Sequence, residues 1–401
     1  MPFRLALVFF LSFLYGTSSA AGGAPAAGAA TNAPSLTRTV VLQNLDMPWD
    51  LAFTPDGTML FTEKCRGLSV RLPNGSVHRL FGTKGAAVPA EDLLCEGQSG
   101  AQGIAVDPDF ASNRTVYLFM SSNLGGAAAN RVVRLVVDTG YQTVAQRQDI
   151  VPDIPYKRAA TQVGRPGAHN GGRLRFGADR FLYVTTGDNH NPTLPQDLKA
   201  LGGKVLRIDR DGKPAPGNNT PAGGDPRIFT YGHRNVQGID FRPGTGQPFV
   251  AEHGPNHTDE VTPLVAGGNA GWDPQNRPNL TCPGGYCGYA GNPQTMPMTD
   301  TERFPNAMRP SWNNDQRSDG IGPATFLQGP AWQAWNGALA VGFMRGTRVE
   351  VLLLDDKGMT VNRSRMELPR NRMRSLVRGP KNDLYVVVDE GEIWRVAPKG
   401  G

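Results

Sequence analysis

The stretch GGRLRFGADRFLYVTTGD, residues 171–188, has two apolar-alternating runs joined by a polar GAD turn, a pattern typical of a β-hairpin. The unit recurs along the chain as an apolar strand, a short turn rich in Gly, Pro or Asp, and a second apolar strand. Its copies lie at 49–64, 102–122, 171–188, 237–254, 324–343 and 374–390, and further strands follow at 131–138, 204–212, 348–356 and 392–398. Coincidental hairpins in a β-sandwich would not repeat over the whole chain. The repeat predicts an all-β fold, a six-bladed β-propeller with four-stranded blades.

The composition agrees with many short strands and limits the partners. The chain of 401 residues contains 50 Gly and 33 Pro, which argues against a fold of long helices. Its net charge of +6 is spread along the sequence without a Lys/Arg block. Nucleic acid is therefore not an expected partner, whereas a small anionic ligand held by a few arginines is compatible with this charge.

The N-terminus predicts export. Residues 1–20 combine a basic Arg4, an apolar run and a Ser-Ser-Ala sequence, which together are typical of a cleaved signal peptide. Residues 21–36 are low in complexity and predict a flexible lead-in to a catalytic propeller domain at 37–401. No later stretch is apolar for long enough to span a bilayer, so we expect no stable membrane insertion and a periplasmic or secreted protein.

Four cysteines fit an exported protein with two disulfides, which we expect to be Cys65–Cys95 and Cys282–Cys287. The alternative is a zinc site, but the spacing contains no CxxC pair.

Three polar motifs lie near the ends of the repeated hairpins, where the loops of a propeller carry its functional groups. GAHNGGRL contains His169, and a neutral histidine is a suitable general base near pH 7. The two glycines after it remove side-chain bulk and let a ligand approach the backbone. EGQSGAQG contains Gln98, and YGHRNVQG contains Arg234 and Asn235. Taken alone, Gln98 could be an ordinary polar loop residue and Arg234 a loop-stabilising arginine.

Two further motifs suggest charged ligands. In AEHGPNHTDEV, the carbonyls of the Gly254-Pro255 turn and the Glu260 carboxylate suit a hard cation such as Ca²⁺, although a metal-free turn is the alternative. In RNRMRSL, Arg372 and Arg374 are two residues apart and would share one face of a strand. Two guanidinium groups on one face suit a ligand with several carboxylates, unless they form an ordinary solvated basic face.

Together these motifs resemble those of the soluble PQQ-dependent glucose dehydrogenase and aldose sugar dehydrogenase family, also called glucose/sorbosone dehydrogenases. The resemblance covers roughly residues 40–398 and is carried, in order, by PWDLAFTPDG, EGQSGAQGIAVDPDF, AHNGGRL, YGHRNVQG, EHGPNHTDE with GGNAGW, and NRMRSL. It implies an exported enzyme that uses pyrroloquinoline quinone (PQQ) and Ca²⁺ to oxidise the C1 hydroxyl of an aldose sugar to the lactone, and passes electrons to an external acceptor. A calcium-dependent propeller lactonase or other hydrolase and a non-catalytic extracellular ligand-binding propeller are the competing hypotheses.

The resemblance also implies a role for each motif residue. His169 matches the general base that takes the anomeric hydroxyl proton while the C1 hydride passes to PQQ. Gln98 matches a polar residue at substrate and cofactor, and Arg234 and Asn235 match groups that contact the quinone oxygens. The remaining matches are Gly254 and Pro255 as carbonyl ligands of the PQQ-bound Ca²⁺, Glu260 and the Ala270 carbonyl at a second, structural Ca²⁺, and Arg372 and Arg374 at the PQQ carboxylates.

Two positions depart from the family pattern. Ala168 stands where the glucose-specific members have an aspartate that would orient or tune the base. Met344 stands where the family often has a lysine that contacts PQQ, and methionine cannot donate a hydrogen bond. Arg345 or Arg348 is the candidate replacement for that lysine, so Arg345 is included among the expected cofactor-binding residues.

Overall fold

The structure is a computed structural model that describes residues 1–2, 33–83, 85–315 and 317–399. The predicted signal peptide after residue 2 and most of the predicted lead-in lie outside these residues. The strands form six sheets, and the innermost strand of each sheet contacts the innermost strands of its two neighbours around a closed ring. The predicted six-bladed β-propeller is therefore confirmed.

Each sequence repeat forms the two inner strands of one blade, and we number the blades in that order, giving strands outward from the channel. Blade 1 consists of Pro48–Phe53, Met59–Glu63, Gly67–Arg71, Val77–Gly82 and Val88–Pro89. Blade 2 consists of Ala101–Val106, Thr115–Ser122, Ala129–Val137 and Val144–Ile154. Blade 3 consists of Gly171–Phe176, Leu182–Thr186, Lys204–Ile208, Ile228–Tyr231 and Gly268–Asn269.

The remaining blades follow the same pattern. Blade 4 consists of Val236–Phe241, Pro248–Glu252, Glu260–Pro263 and Trp312–Asn313. Blade 5 consists of Ile321–Phe326, Leu339–Phe343, Arg348–Leu354 and Thr360–Met366. Blade 6 consists of Met373–Arg378, Leu384–Val388, Glu392–Pro398 and Leu36–Leu42. The helical elements are short: Phe110–Asn113 is α-helical, and Leu124–Gly126, Pro283–Gly285 and Pro330–Trp335 are 3₁₀ turns.

Two details refine the four-stranded prediction. Blades 1 and 3 each carry a fifth strand of two residues, which pairs in parallel with the outer strand. Blade 6 is completed by Leu36–Leu42, which pairs antiparallel with Glu392–Pro398. The propeller therefore begins one residue before the predicted boundary at 37, and both ends of the described ring meet in one sheet.

Buried apolar side chains fill the space between neighbouring blades. Separate clusters lie at each of the blade interfaces; between blades 6 and 1, for example, Leu51 and Phe61 pack with Ile393. The other interfaces have equivalent clusters. This arrangement follows from strands that are apolar on both faces, because each blade is covered on two sides. Burial between the blades fixes their positions around the channel.

Every innermost strand carries a β-bulge at the same point, near its start. The register shifts lie at Pro48/Asp50, Ala101/Ile104, Gly171/Leu174, Val236/Gly238, Ile321/Ala324 and Met373/Ser375. A bulge bends its strand and redirects the neighbouring side chains. Trp49, Gln102, Gln237 and Arg374 lie within these bulges and line a cavity at the mouth of the channel.

An ionic cluster crosses the channel just below the bulges. The Asp50 carboxylate lies 2.7 Å from Arg173 and 2.8 Å from Arg175, and Ser375 donates to it at 2.7 Å. The innermost strands of blades 2 and 3 approach closely beside Arg173, since a Cβ on Gly103 would lie only 2.2 Å from the Gly172 carbonyl oxygen. The Arg173 guanidinium also lies over the Trp49 ring at 4.2 Å. The cluster therefore forms the floor beneath the cavity.

Candidate active site

A cavity of about 470 Å³ opens where the six innermost strands begin. All six blades contribute to it, either near the start of the innermost strand or from the residues that follow the second strand. The structure brings together five of the residues singled out from the sequence, namely Gln98, His169, Asn235, Arg372 and Arg374. The lining also includes residues that the sequence did not single out, namely Lys64, Gln102, Asn170, Gln237, Tyr289 and Asp389.

His169 is held at the rim of the cavity by contacts on its backbone and its ring. It is a non-glycine residue with φ of 53°, in the left-handed region, and its N–H donates to Gln98 Oε1 at 3.1 Å. Its Nδ1 lies 2.7 Å from Asp188 Oδ1. Burial, reinforced by the positive charge of Arg234, holds the pKa of His169 well below its usual range. The imidazole is therefore neutral near pH 7, the form that a general base requires.

Asp188 is the carboxylate that orients this histidine. It is fully buried and accepts hydrogen bonds on Oδ2 from Trp272 Nε1 at 3.0 Å and from the Tyr286 hydroxyl at 2.9 Å. Its Oδ1 faces His169, so the imidazole proton lies on Nδ1 and the lone pair lies on Nε2. Ala168 therefore does not leave the base without a partner. In the sequence, Asp188 is the last residue of the hairpin at 171–188, and its TTGD context does not indicate that it orients a histidine.

Gly171 and Gly172 allow neighbouring protein atoms to pack closely against the backbone after His169. A Cβ on Gly171 would lie 2.6 Å from the Thr186 backbone, and one on Gly172 would lie 2.7 Å from Gln102 Oε1. Both have positive φ, which favours glycine. The expectation that they open the backbone to a ligand is therefore wrong, because protein atoms already occupy that space.

Tyr289 connects the predicted arginine to the base. The fully buried Arg234 donates to the Tyr289 hydroxyl at 2.8 Å and to the His253 carbonyl at 2.6 Å. The same hydroxyl lies 3.4 Å from His169 Nε2 and 3.1 Å from His190 Nε2. Arg234 therefore reaches the cavity through Tyr289 and is not itself part of the lining.

His190 packs against the ring of His169. Its ring lies 3.7 Å from the ring of His169, centroid to centroid. Burial is the main cause that lowers the pKa of His190 to about 2, so this ring is also neutral. This tilted ring contact restricts the plane of His169 without placing a second cation beside it.

Asn235 joins blade 3 to blade 4 at the cavity wall. Its Oδ1 accepts from the Gly171 N–H at 3.1 Å and from Gln237 Nε2 at 3.1 Å. Its N–H and that of Arg234 both donate to Glu252 Oε1. Glu252, at the end of the second strand of blade 4, therefore fixes the predicted Arg234–Asn235 pair.

The predicted arginine pair occupies the opposite wall, in blade 6. Arg374 donates to both oxygens of Asp389 at 2.7 Å, and Arg372 donates to Asp389 Oδ2 at 2.9 Å. Burial tends to raise the pKa of Asp389, but the two arginines outweigh it and hold that pKa below its usual range. The pair therefore faces the cavity with one shared counter-ion.

The predicted metal-binding segments offer backbone carbonyls. Gly254 and Pro255 are buried, and no donor among the described residues bonds to either carbonyl. The Gly254 N–H donates to Asp259 at 2.9 Å, which fixes the turn. Within the part of the chain that the structure describes, no three His, Cys, Asp or Glu side chains form a metal-binding group. Carbonyl oxygens are ligands that Ca²⁺ accepts, so the donor set fits a calcium ion bound largely by backbone.

Glu260 and Ala270 lie in neighbouring segments. The Thr299 hydroxyl donates to Glu260 Oε2 at 2.9 Å, and the N–H of Asp300 donates to the carbonyl of Gly271 at 3.2 Å. Burial is the main cause that raises the pKa of Glu260 to about 8. Thr299 and Asp300, which are adjacent in sequence, thus contact both segments, and a carboxylate and a carbonyl are ligand types that Ca²⁺ accepts.

Met344 lines the cavity as expected, but the candidate replacements for the missing lysine do not. Arg345 is exposed and is not part of the lining. Arg348 binds Asp319 at 2.9 Å and Glu350 at 2.6 Å. The structure therefore does not bring Arg345 to the other predicted cofactor-binding residues. Arg345 follows the end of the second strand of blade 5 and is exposed to solvent.

All four cysteines form the predicted disulfides. Cys65 is bonded to Cys95 and Cys282 to Cys287, with Cα–Cα distances of 5.3 and 5.2 Å, which excludes a zinc site at these positions. The described residues include no helix with the length and apolar character needed to span a bilayer.

The fold and the site define a class of protein: a six-bladed propeller with a neutral histidine and a cationic wall facing one cavity at the mouth of its channel. The family model described as Glucose / Sorbosone dehydrogenase matches residues 45–395. The chain therefore belongs to the glucose/sorbosone dehydrogenase family.

Several relatives and solved structures are named as sugar dehydrogenases. The aldose sugar dehydrogenase YliI of Escherichia coli is 28% identical over 380 residues, which cover 92% of this chain and 94% of that protein. The crystal structure of the E. coli enzyme in its apo form has a TM-score of 0.74 at 26% identity, and covers 91% of this chain and 100% of that one. The PQQ-bound aldose sugar dehydrogenase of Streptomyces coelicolor has a TM-score of 0.69 at 26% identity, and covers 91% and 99%.

Proposed function

We propose that the protein is an exported, PQQ- and Ca²⁺-dependent aldose dehydrogenase that oxidises the C1 hydroxyl of an aldose to the lactone and passes the electrons to an external acceptor. The observation that carries the proposal is the His169–Asp188 pair facing a cavity whose opposite wall is the Arg372–Arg374 pair. A base and an anion-binding wall in one cavity suit the oxidation of a neutral sugar next to an anionic cofactor.

His169 would remove the proton of the sugar hydroxyl. Asp188 accepts from Nδ1, and Nε2 therefore presents a lone pair toward the Tyr289 hydroxyl at 3.4 Å. A sugar hydroxyl that replaces this weak contact would donate to Nε2. The proton would remain on an imidazolium stabilised by the buried Asp188 carboxylate, so the charge formed on the base is balanced within the protein.

The cofactor would be held by Arg372, Arg374, Asn235 and Gln98, and the metal by the carbonyls of Gly254 and Pro255. When bound, PQQ supplies a quinone that accepts two electrons with the C1 hydride, and Ca²⁺ supplies a Lewis acid beside it. The protein supplies position and charge. Arg374 is only 19% exposed, so its attraction for a carboxylate is weakly screened by water.

Titration of the purified protein with PQQ and Ca²⁺, followed by absorbance, tests the proposal together with dye reduction on a panel of aldoses. We expect PQQ to bind and at least one aldose to reduce the dye. Failure to bind PQQ would refute the proposal.

The variant His169→Ala separates the base from the binding site. We expect it to bind PQQ as the parent protein does and to lose about 10²–10⁴-fold in kcat, the usual contribution of a general base. The matched control is His78→Ala, since His78 lies in the outer strand of blade 1 and contacts the Tyr141 carbonyl. Turnover that survives in His169→Ala at the level of the control would place the base elsewhere.

A further inference from the structure

Lys64 is a cation of the cavity that the sequence motifs did not reveal. It follows the second strand of blade 1, and its side chain lines the same cavity as Arg372, Arg374 and Asp389. The ammonium group donates to the carbonyl of Gly97 at 2.7 Å. No carboxylate among the described residues lies within ion-pair distance of it. Lys64 is therefore a partly buried cation without a counter-ion of its own.

The position of Lys64 is fixed by its backbone and by its stem. Its N–H donates to the Met47 carbonyl at 3.0 Å, and its carbonyl accepts from the Ala101 N–H at 2.8 Å. The Cγ of the side chain packs against Gly100, where an added Cβ would lie only 2.6 Å from it. The next residue, Cys65, is bonded to Cys95. These contacts hold the ammonium group at the cavity wall at little further entropic cost on binding.

The charges of the cavity lining do not balance. Asp389 is the single carboxylate of the lining, and both of its oxygens already accept from the arginine pair. Burial, and after it the positive charge of Arg374, lower the pKa of Lys64, and the attraction of Asp389 and Asp46 offsets them only in part. A ligand with more than one anionic group would restore the balance.

We infer that Lys64 is a further cofactor-binding residue, which binds an anionic oxygen of the cofactor from blade 1 while Arg372 and Arg374 bind its carboxylates from blade 6. The inference rests on the proposed function, since PQQ carries three carboxylates. A lysine on blade 1 and two arginines on the neighbouring blade 6 suit a rigid polycarboxylate better than a neutral sugar, which has no charge to offer.

The test is a PQQ titration without sugar, followed by absorbance or by quenching of tryptophan fluorescence, on the parent protein and three variants. We expect Lys64→Met to weaken PQQ binding by about 10- to 100-fold, the usual loss for a hydrogen bond to a charged group. Lys64→Arg, which keeps the charge, should lose less than about threefold of that affinity. The control is Lys381→Met, in the exposed turn between the two inner strands of blade 6 at the far end of the propeller, which should bind as the parent does.

Two further measurements make the result decisive. The dissociation constant of the parent for PQQ should rise more steeply with added salt than that of Lys64→Met. Salt screens the charge pair between Lys64 and the cofactor, which the variant lacks. The melting temperature of the unliganded Lys64→Met variant should equal or exceed that of the parent, since the ammonium has only one carbonyl partner. If the parent binds PQQ and Lys64→Met binds it equally well, the inference is wrong. If the parent itself does not bind PQQ, the proposed function fails instead.

Discussion

His169 takes its orienting carboxylate from across the hairpin. The residue beside it is Ala168, and Asp188 contacts Nδ1 from the far end of the repeat at 2.7 Å. Asp188 is in turn held by Trp272 and Tyr286, which belong to the segment between the third and fourth strands of blade 4. The His190 N–H also donates to Asp188, at 2.9 Å, and a carboxylate held by three donors restricts the imidazole more strongly than one on a flexible rim would.

The variant Asp188→Asn tests this role. An amide that donates to Nδ1 would move the imidazole proton to Nε2 and remove the lone pair that accepts the substrate proton. We expect kcat to fall by about 10²–10⁴-fold, with PQQ affinity within about threefold of the parent. Single-turnover kinetics and a PQQ titration measure the two quantities separately.

Tyr286→Phe is the matched control for Asp188→Asn. It removes a donor to Oδ2 and leaves the contact with His169 in place. We expect a loss in kcat of less than about tenfold, with an unchanged shape of the rate against pH. Equal losses in the two variants would mean that Asp188 acts through general packing of the segment.

At the scale of elements, a buried lysine holds the segment that joins the second and third strands of blade 3. Lys204 is fully buried, and its ammonium donates to the carbonyls of Leu194 and Gly202 at 2.6 Å and of Pro195 at 3.2 Å. Burial lowers the pKa of Lys204 to about 7. This segment contains Asp188, so Lys204 helps to fix the carboxylate that contacts His169.

We expect Lys204→Met to lower the free energy of unfolding by at least about 2 kcal/mol, because buried carbonyls lose their donor. Lys199→Met is the control, since Lys199 is exposed in the same segment, and it should change that free energy by less than about 0.5 kcal/mol. Urea denaturation measures both. A shared midpoint for the two variants would contradict the structural role of Lys204.

The elements themselves could be predicted from the sequence, whereas their contacts could not. Alternating apolar residues and a central turn located all six inner hairpins, because this pattern is local. Gln98 and the Arg372–Arg374 pair were found through motif position. Lys64, Asp188 and Tyr289 were missed because their roles depend on which blade or loop lies across the cavity. Arg345 was misplaced because adjacency in sequence does not determine the direction of a side chain after a strand ends.

At the scale of the whole molecule, the Asp50 cluster joins the blades across the channel. Arg173 donates to the Arg374 carbonyl at 2.9 Å and to the Gln237 carbonyl at 3.1 Å while it pairs with Asp50. Burial tends to raise the pKa of Asp50, but Arg173 and Arg175 outweigh this and lower it. The blades are therefore connected at the centre as well as at their interfaces.

Asp50→Asn should lower the free energy of unfolding at neutral pH by about 3–5 kcal/mol, because two buried guanidinium groups lose their counter-ion. A carboxyl whose folded pKa is lowered stabilises the fold above its unfolded pKa, about 3.9 for aspartate. That contribution is lost as the pH falls through the folded pKa. The difference between parent and variant should therefore be constant near neutral pH and shrink in acid.

Denaturation of both proteins from pH 7 into acid measures this difference. Asp356→Asn is the control, since Asp356 is exposed in a turn of blade 5, and it should follow the parent throughout. A difference between parent and Asp50→Asn that stays the same in acid would show that the stabilisation does not come from the ionised carboxylate.

The pairing of Leu36–Leu42 with Glu392–Pro398 also constrains how the chain reaches this structure. Blades 1 to 5 are each formed mostly by contiguous chain, so they can assemble from local contacts as synthesis proceeds. Blade 6 needs a strand made first and a strand made last, and such high contact order slows folding. The entropy cost of that closure grows only with the logarithm of chain length. We therefore expect closure of the ring to come late in folding, and the edge of blade 6 to stay open to other chains until it occurs.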